Sequence, residues 1–177
     1  GSKVWSLNML NEQLAEFLAH SVELESEARE RYSELAEAMS AHNSRDVAAF
    51  FQRMAGEASQ HLAEVEEIVG SARLPQLKAW EYQWLDPEAP ESASYEAVHY
   101  RMTLGEAMQL ALQNERDAET YYRHMADTTT DPETQRIATG FAEEEKRHAA
   151  ALEKMIAELG EEQRFSKLED DEPHMPE

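Results

Sequence analysis

The sequence contains no cysteine. That excludes disulfides, thiol nucleophiles, iron–sulfur clusters and any other thiolate-ligated metal in this chain. Basic residues are also scarce: 16 Lys and Arg stand against 37 Asp and Glu, a formal net charge of −21. General electrostatics does not draw such a chain to nucleic acid or to an anionic membrane. No apolar run is long enough to span a bilayer and no secretory signal is visible, so a cytoplasmic protein is expected. Gly1-Ser2 reads as a cloning remnant. Alternating runs that would mark strands are missing as well.

What the 177 residues do contain is a set of four long apolar stripes at helical spacing. The first runs through Leu14, Leu18, Ser21, Glu25, Ala28, Tyr32, Leu35 and Met39, with Ser6 or Asn8 as a cap and an end near Ala41 to Asn43. The second follows Ser44 through Val47, Phe51, Met54, Ala58, His61, Val65 and Ile68, and Gly70 stops it. The third opens on the capping box Thr103-Leu-Gly-Glu106 and continues through Met108, Ala111, Glu115, Ala118, Tyr122 and Met125. The fourth starts at the Asp131-Pro132 cap and passes Ala138, Phe141, Glu145, His148, Leu152, Met155 and Leu159. Spacings of three and four residues are those of bundle seams, and each start carries residues that satisfy helix ends. The methionines are core packing.

Residues 71–102 differ, with prolines and the run Trp80 to Trp84. A connection this long fits a crossover between two parallel helices, with aromatics ordered against the bundle or a second subunit. The expected architecture is all-α: a four-helix bundle over 1–160 and an acidic, flexible tail over 161–177. The two halves repeat. Glu25 precedes Tyr32 as Glu115 precedes Tyr122, and Phe51 precedes His61 as Ala138 precedes His148.

The seams carry residues that a core avoids. Glu25, His61, Glu115, Glu145 and His148 all fall at mid-helix. Singly, each has an ordinary reading: a buried ion pair, a satisfied core histidine or a solvated acidic face. Together they form the ligand chemistry of a carboxylate-bridged di-metal site, suited to iron or manganese. Glu145 and His148 stand one turn apart on one face, so both can bind the same ion. The symmetry fails at Ala58, where the counterpart of Glu145 is expected. Glu57 lies beside it and would reach the site by bending inward; otherwise it is exposed like Glu64. Glu144 has the same offset from His148 and is the weaker choice. Tyr32 and Tyr122 read either as core aromatics or as groups contacting a ligand carboxylate or protecting against radicals.

These residues, with Leu74-Pro75 to Trp84 and the Ala97 to Thr103 lead, resemble the rubrerythrin-like branch of the ferritin-like superfamily. The resemblance implies a ferritin-like bundle with two iron ions, often in dimers, so a homodimer is expected. It implies reduction of hydrogen peroxide, or oxidation of ferrous iron by oxygen or peroxide. Glu25, His61, Glu115, Glu145 and His148 match ligand positions, with Glu57 as a further candidate. On this reading Glu25 and His61 serve one metal, His148 the other, and Glu115 and Glu145 bridge. Manganese or a mixed pair is the variant. Fuller members carry a cysteine-bearing rubredoxin-like domain; without cysteine here, electrons would come from a separate donor such as a rubredoxin-like protein. The alternatives are iron binding or storage, and a metal-poor helical interaction module, which the Ala58 departure favours.

Overall fold

The computed structural model describes residues 10–77 and 101–161. Four helices make up the described fold: α1 (Glu12–Ala41), α2 (Arg45–Val69), α3 (Leu104–Thr128) and α4 (Pro132–Ala157). Among the described residues there is no strand, and no helix is long and apolar enough to cross a membrane.

Most of the helix ends follow the expected chemistry. Thr103 Oγ1 accepts from Glu106 N at 3.1 Å, and Glu106 Oε1 accepts from Thr103 N at 3.0 Å, closing the capping box. Asp131 accepts from Thr134 N at 2.8 Å ahead of Pro132. Gly70 ends α2 at φ 59°, a left-handed conformation that favours glycine. The start of α1 corrects the sequence reading. Its cap is Asn11, whose Oδ1 accepts from Leu14 N at 2.8 Å; Ser6 and Asn8 lie outside the described residues. Ser44 occupies the cap position of α2 but makes no side-chain cap bond. Asp46 Oδ1 instead accepts from Val47 N at 2.8 Å.

α1 packs on α2 and α3 on α4 as two hairpins, which meet chiefly between α2 and α3 and between α1 and α4. Two apolar clusters fill the interior. One joins Ala28–Met39 of α1, Val47–Ala58 of α2, Met102–Leu112 around the start of α3, and Ala149 and Leu152 of α4. The other joins Leu14–Leu24, Val65 and Val69, Ala118–Ala126 and Ile137–Ala142. The pairing of ends fixes direction: α2 runs parallel to α3, and α1 to α4. The chain leaving α2 must therefore travel the length of the bundle, roughly 37 Å for 25 residues, before α3 can begin. Ala72 and Leu74 start that journey packed on the second cluster. Its middle, including Trp80 and Trp84, and the tail beyond 161 lie outside the described residues.

The stripes drift at their ends. Ile68 is 38% exposed and Val69 is buried in its place. Leu35 and Met125 are half-buried, with Ala36 and Ala126 facing inward. A seam written at 3.5 residues per turn walks round a helix of 3.6, so the last turn shifts by one residue.

The capping box ties the end of the crossover to α3. Thr103→Ala is expected to cost about 1 kcal/mol of stability, and Thr103→Ser to restore most of it. Urea unfolding of the three proteins checks this; an unchanged midpoint in Thr103→Ala would show that the cap contributes nothing.

Candidate metal centre

The two apolar clusters leave a gap at mid-bundle, and the charged seam residues fill it. A cavity of about 20 Å³ is lined by Glu25, Tyr32, Glu57, His61, Glu115, Glu145 and His148, with Ala28, Met54 and Ala58 as its apolar wall. Glu25, His61 and Glu145 are 4%, 3% and 3% exposed. Glu115, His148 and Glu57 are half-buried, so the cavity is sealed on one side and reaches towards solvent on the other.

Two sets of donor atoms face this space. Glu25, His61 and Glu145 form one, and Glu57, Glu115 and His148 the other; within each set the atoms lie no more than 4.8 Å apart. His61 Nδ1 lies 2.7 Å from Glu25 Oε2 and 3.4 Å from Glu145 Oε2. His148 Nδ1 lies 2.9 Å from Glu115 Oε1 and 3.5 Å from Glu145 Oε1. Glu145 thus uses one oxygen towards each histidine and stands between the sets. Glu115 pairs with His148 and belongs to the second set alone. Of the two carboxylates read as bridges, Glu145 faces both histidines and Glu115 faces His148.

Glu57 does turn into the cavity. From α2 it joins Glu115 and His148, while Arg53 is its loose partner at 3.8 Å. Buried Ala58 leaves the space that a glutamate side chain would otherwise occupy. The tyrosines differ. Tyr122 donates to Glu25 Oε2 at 3.3 Å, the carboxylate contact considered for it. Tyr32 lines the cavity, with Asn114 beside its hydroxyl. Phe141 stands edge-on to His61, ring centres 4.8 Å apart, and holds the imidazole in place. Glu144, the weaker choice beside Glu145 in the sequence, places its Oε1 3.7 Å from His61 Nε2. Its signal was present, since it adjoins Glu145 in an acidic run, but such runs are usually solvated.

Burial and charge set the proton distribution. Burial pushes the Glu25 carboxyl up, beyond what the neighbouring His61 recovers. Burial, then the charge of Glu145, lifts Glu115 to about 8. Glu145 is also buried, but His148 and His61 outweigh that and hold it at about 2. Burial disfavours a charged His61, yet its contacts with Glu145 and Glu25 raise it to about 10. Bonds to Glu115 and Glu145 raise His148 to about 11. Burial pushes both Tyr32 and Tyr122 well above the ordinary phenol value.

The donors fit a pair of metal ions. Neither ring nitrogen of His61 nor Oε1 of Glu145 has an aligned hydrogen-bond partner, although carboxylates lie at ion-pair distance. Oxygen and nitrogen atoms that converge this closely are suited to cations between them, and mixed carboxylate–imidazole sets suit iron or manganese.

Comparison with known proteins gives the same direction. The rubrerythrin family model matches residues 16–103 and 106–175. A crystal structure of an uncharacterized conserved protein from Magnetospirillum magnetotacticum is 41% identical, with a TM-score of 0.69 over 83% of this chain and 95% of that one. A hypothetical protein from Pyrococcus furiosus shares the fold, with a TM-score of 0.51 at 20% identity, over 81% of this chain and 88% of that one. No curated protein matches the chain.

The proton distribution gives the metal-free protein a defined pH dependence. Raised carboxyls keep protons that the unfolded chain releases near 4.5, so Glu25 and Glu115 cost stability as pH climbs from there, for Glu115 until about 8. His61 and His148 stabilise fully below their unfolded value of 6.5, and that gain is lost as pH rises through about 10 and 11. Glu145 acts oppositely, its contribution being present above 4.5 and lost as pH falls towards 2. Metal-free protein should therefore melt higher at about pH 5.5 than at about pH 8.5. Thermal melts after chelation check this, and a melting temperature that rises across that interval would contradict it.

Proposed function

The chain belongs to the rubrerythrin family, and from that premise we propose that it is a non-haem di-iron oxidoreductase. Its reaction is reduction of hydrogen peroxide to water, or oxidation of ferrous iron by oxygen or peroxide. The observation that carries this reading is Glu145, which reaches His61 at 3.4 Å with one oxygen and His148 at 3.5 Å with the other. One carboxylate between two donor sets is what holding two cations close together requires.

In this reading Glu25 and His61 hold one ion, and Glu115, His148 and Glu57 the other, with Glu145 shared. Two ferrous ions held there would supply the two electrons that, with two protons, convert hydrogen peroxide to two waters. Tyr122 fixes one oxygen of Glu25, and Phe141 fixes the plane of His61. Protons that His61 and His148 carry in the metal-free protein leave on loading, so uptake releases acid. The half-buried side at Glu57 and His148 is the way in for oxidant, because the Glu25 side is closed by protein. Lacking cysteine, the chain would take electrons from a separate donor such as a rubredoxin-like protein. We expect a homodimer; a large cage on size measurement would favour iron storage. Manganese in one or both positions is the variant that metal analysis of protein from metal-replete cells would reveal. Ala58 supports a second reading, a metal-poor interaction module, which the same analysis separates.

Metal binds the folded form and should raise its melting temperature. Under anaerobic conditions, ferrous iron is expected to raise that of wild type most, that of Glu57→Ala less, and that of His148→Ala least. His148 sits on the seam beside Glu145, whereas Glu57 reaches in from the rim. Equal rises in wild type and His148→Ala would remove His148 from the ligand set. No rise in any of them would favour the metal-poor reading. Ferrous-loaded wild type should also consume added peroxide, and His148→Ala should do so more slowly.

Ala58→Glu tests the broken symmetry. The extra buried carboxyl should cost the metal-free protein about 1–3 kcal/mol, the penalty of an unpaired buried polar group. Iron should then stabilise the variant more than it stabilises wild type. A variant destabilised equally with and without iron would show that residue 58 does not face the ions.

A further inference from the structure

His61 presents different surroundings at its two nitrogens. Nδ1 faces inward to Glu25 and Glu145. Nε2 faces the other way, to Glu144 Oε1 at 3.7 Å, beyond hydrogen-bond length. Glu64, one turn further along α2, completes the group: donor atoms of His61, Glu64 and Glu144 lie within 4.8 Å of one another. His61 is 3% exposed and its Nε2 is buried without an aligned hydrogen-bond partner. Leaving such an atom unmatched carries a desolvation penalty. Glu64 is exposed and the Glu144 side chain is 27% exposed, so the gap between them opens to solvent.

We propose that this group is a second cation position, outside the di-metal pocket, where a divalent ion is captured on its way to the inner donors. The proposal rests on the inner pocket being a metal centre. One imidazole nitrogen and two carboxylates suit ferrous, manganous, cobaltous or zinc ions better than calcium or magnesium. The chain's net charge of −21 concentrates such cations at its surface. A metal-bound imidazole offers one lone pair, so His61 serves one ion at a time, through Nε2 to the outer group or through Nδ1 to the inner set. The outer position is therefore an early station, used before the inner ion next to Glu25 is in place.

Cobalt(II), whose visible absorption reports its ligands, tests this with the full chain freed of metal. Wild type is compared with the Glu64→Gln/Glu144→Gln double variant, which keeps side-chain shape and replaces none of the proposed inner ligands. The expected result is the same final content of tightly bound cobalt in both. Loading of the variant should be slowed by at least about tenfold at limiting cobalt, since even residues behind a metal ligand are worth that much. In cobalt-soaked crystals of Glu25→Gln, where the inner set is weakened, anomalous scattering should place an ion between His61 Nε2, Glu64 and Glu144. Equal loading rates with normal final content would overturn the outer position and leave the inner centre standing, as would scattering confined to the inner pocket. Failure of wild type to bind cobalt at all would overturn both.

Discussion

Glu145 between two imidazoles is the contact on which the middle of this protein depends. A carboxylate 3% exposed is costly to keep ionised unless cations or donors surround it. Here His61 and His148 do so from opposite sides, close to 3.5 Å each. Their positive charges stand in for those of metal ions and make the metal-free interior tolerable. Burial, with the charge of Glu145 beside them, makes Glu25 and Glu115 tend to keep protons despite the histidines.

The rest of the fold holds that arrangement without taking part in it. Apolar clusters lie on either side of the site, one around Phe51 and Met39, the other around Phe17 and Tyr122. Each large side chain buried there contributes about 1.5–3 kcal/mol, which lets a few polar residues at the centre be carried at a loss. Parallel α2 and α3 give the second hairpin the same ligand spacing as the first, so the two histidines approach the centre from related directions.

Much of this was legible in the sequence because periodicity reports which way a side chain leaves its helix. The seams placed Glu25, His61, Glu115, Glu145 and His148 inward, and the caps at Thr103 and Asp131 placed the helix starts. Three things were only partly legible. Which carboxylate spans both histidines depends on how far each helix is rotated against its neighbours, so Glu115 and Glu145 looked equivalent. Glu57 lies about 100° round α2 from Ala58, and only the length of a glutamate and the space above an alanine decide that it reaches in. Glu144 was hidden by its setting, because a run of three glutamates looks like surface until a buried imidazole nitrogen is found opposite one of them.

Ala58 also has a kinetic meaning. With a glutamate there, both ions would share two spanning carboxylates and exchange with solvent at similar rates. With alanine, an ion held beside Glu25 would be enclosed by residues almost wholly buried, while its neighbour would lean on Glu57, a rim side chain 37% exposed and loosely held by Arg53. Ligand exchange at the two positions would then be unequal. The neighbour would equilibrate with whichever metal the surroundings offer, and the enclosed ion would keep the identity it had on arrival. Loss of one spanning carboxylate would thus separate a retained metal from a replaceable one within a single bundle.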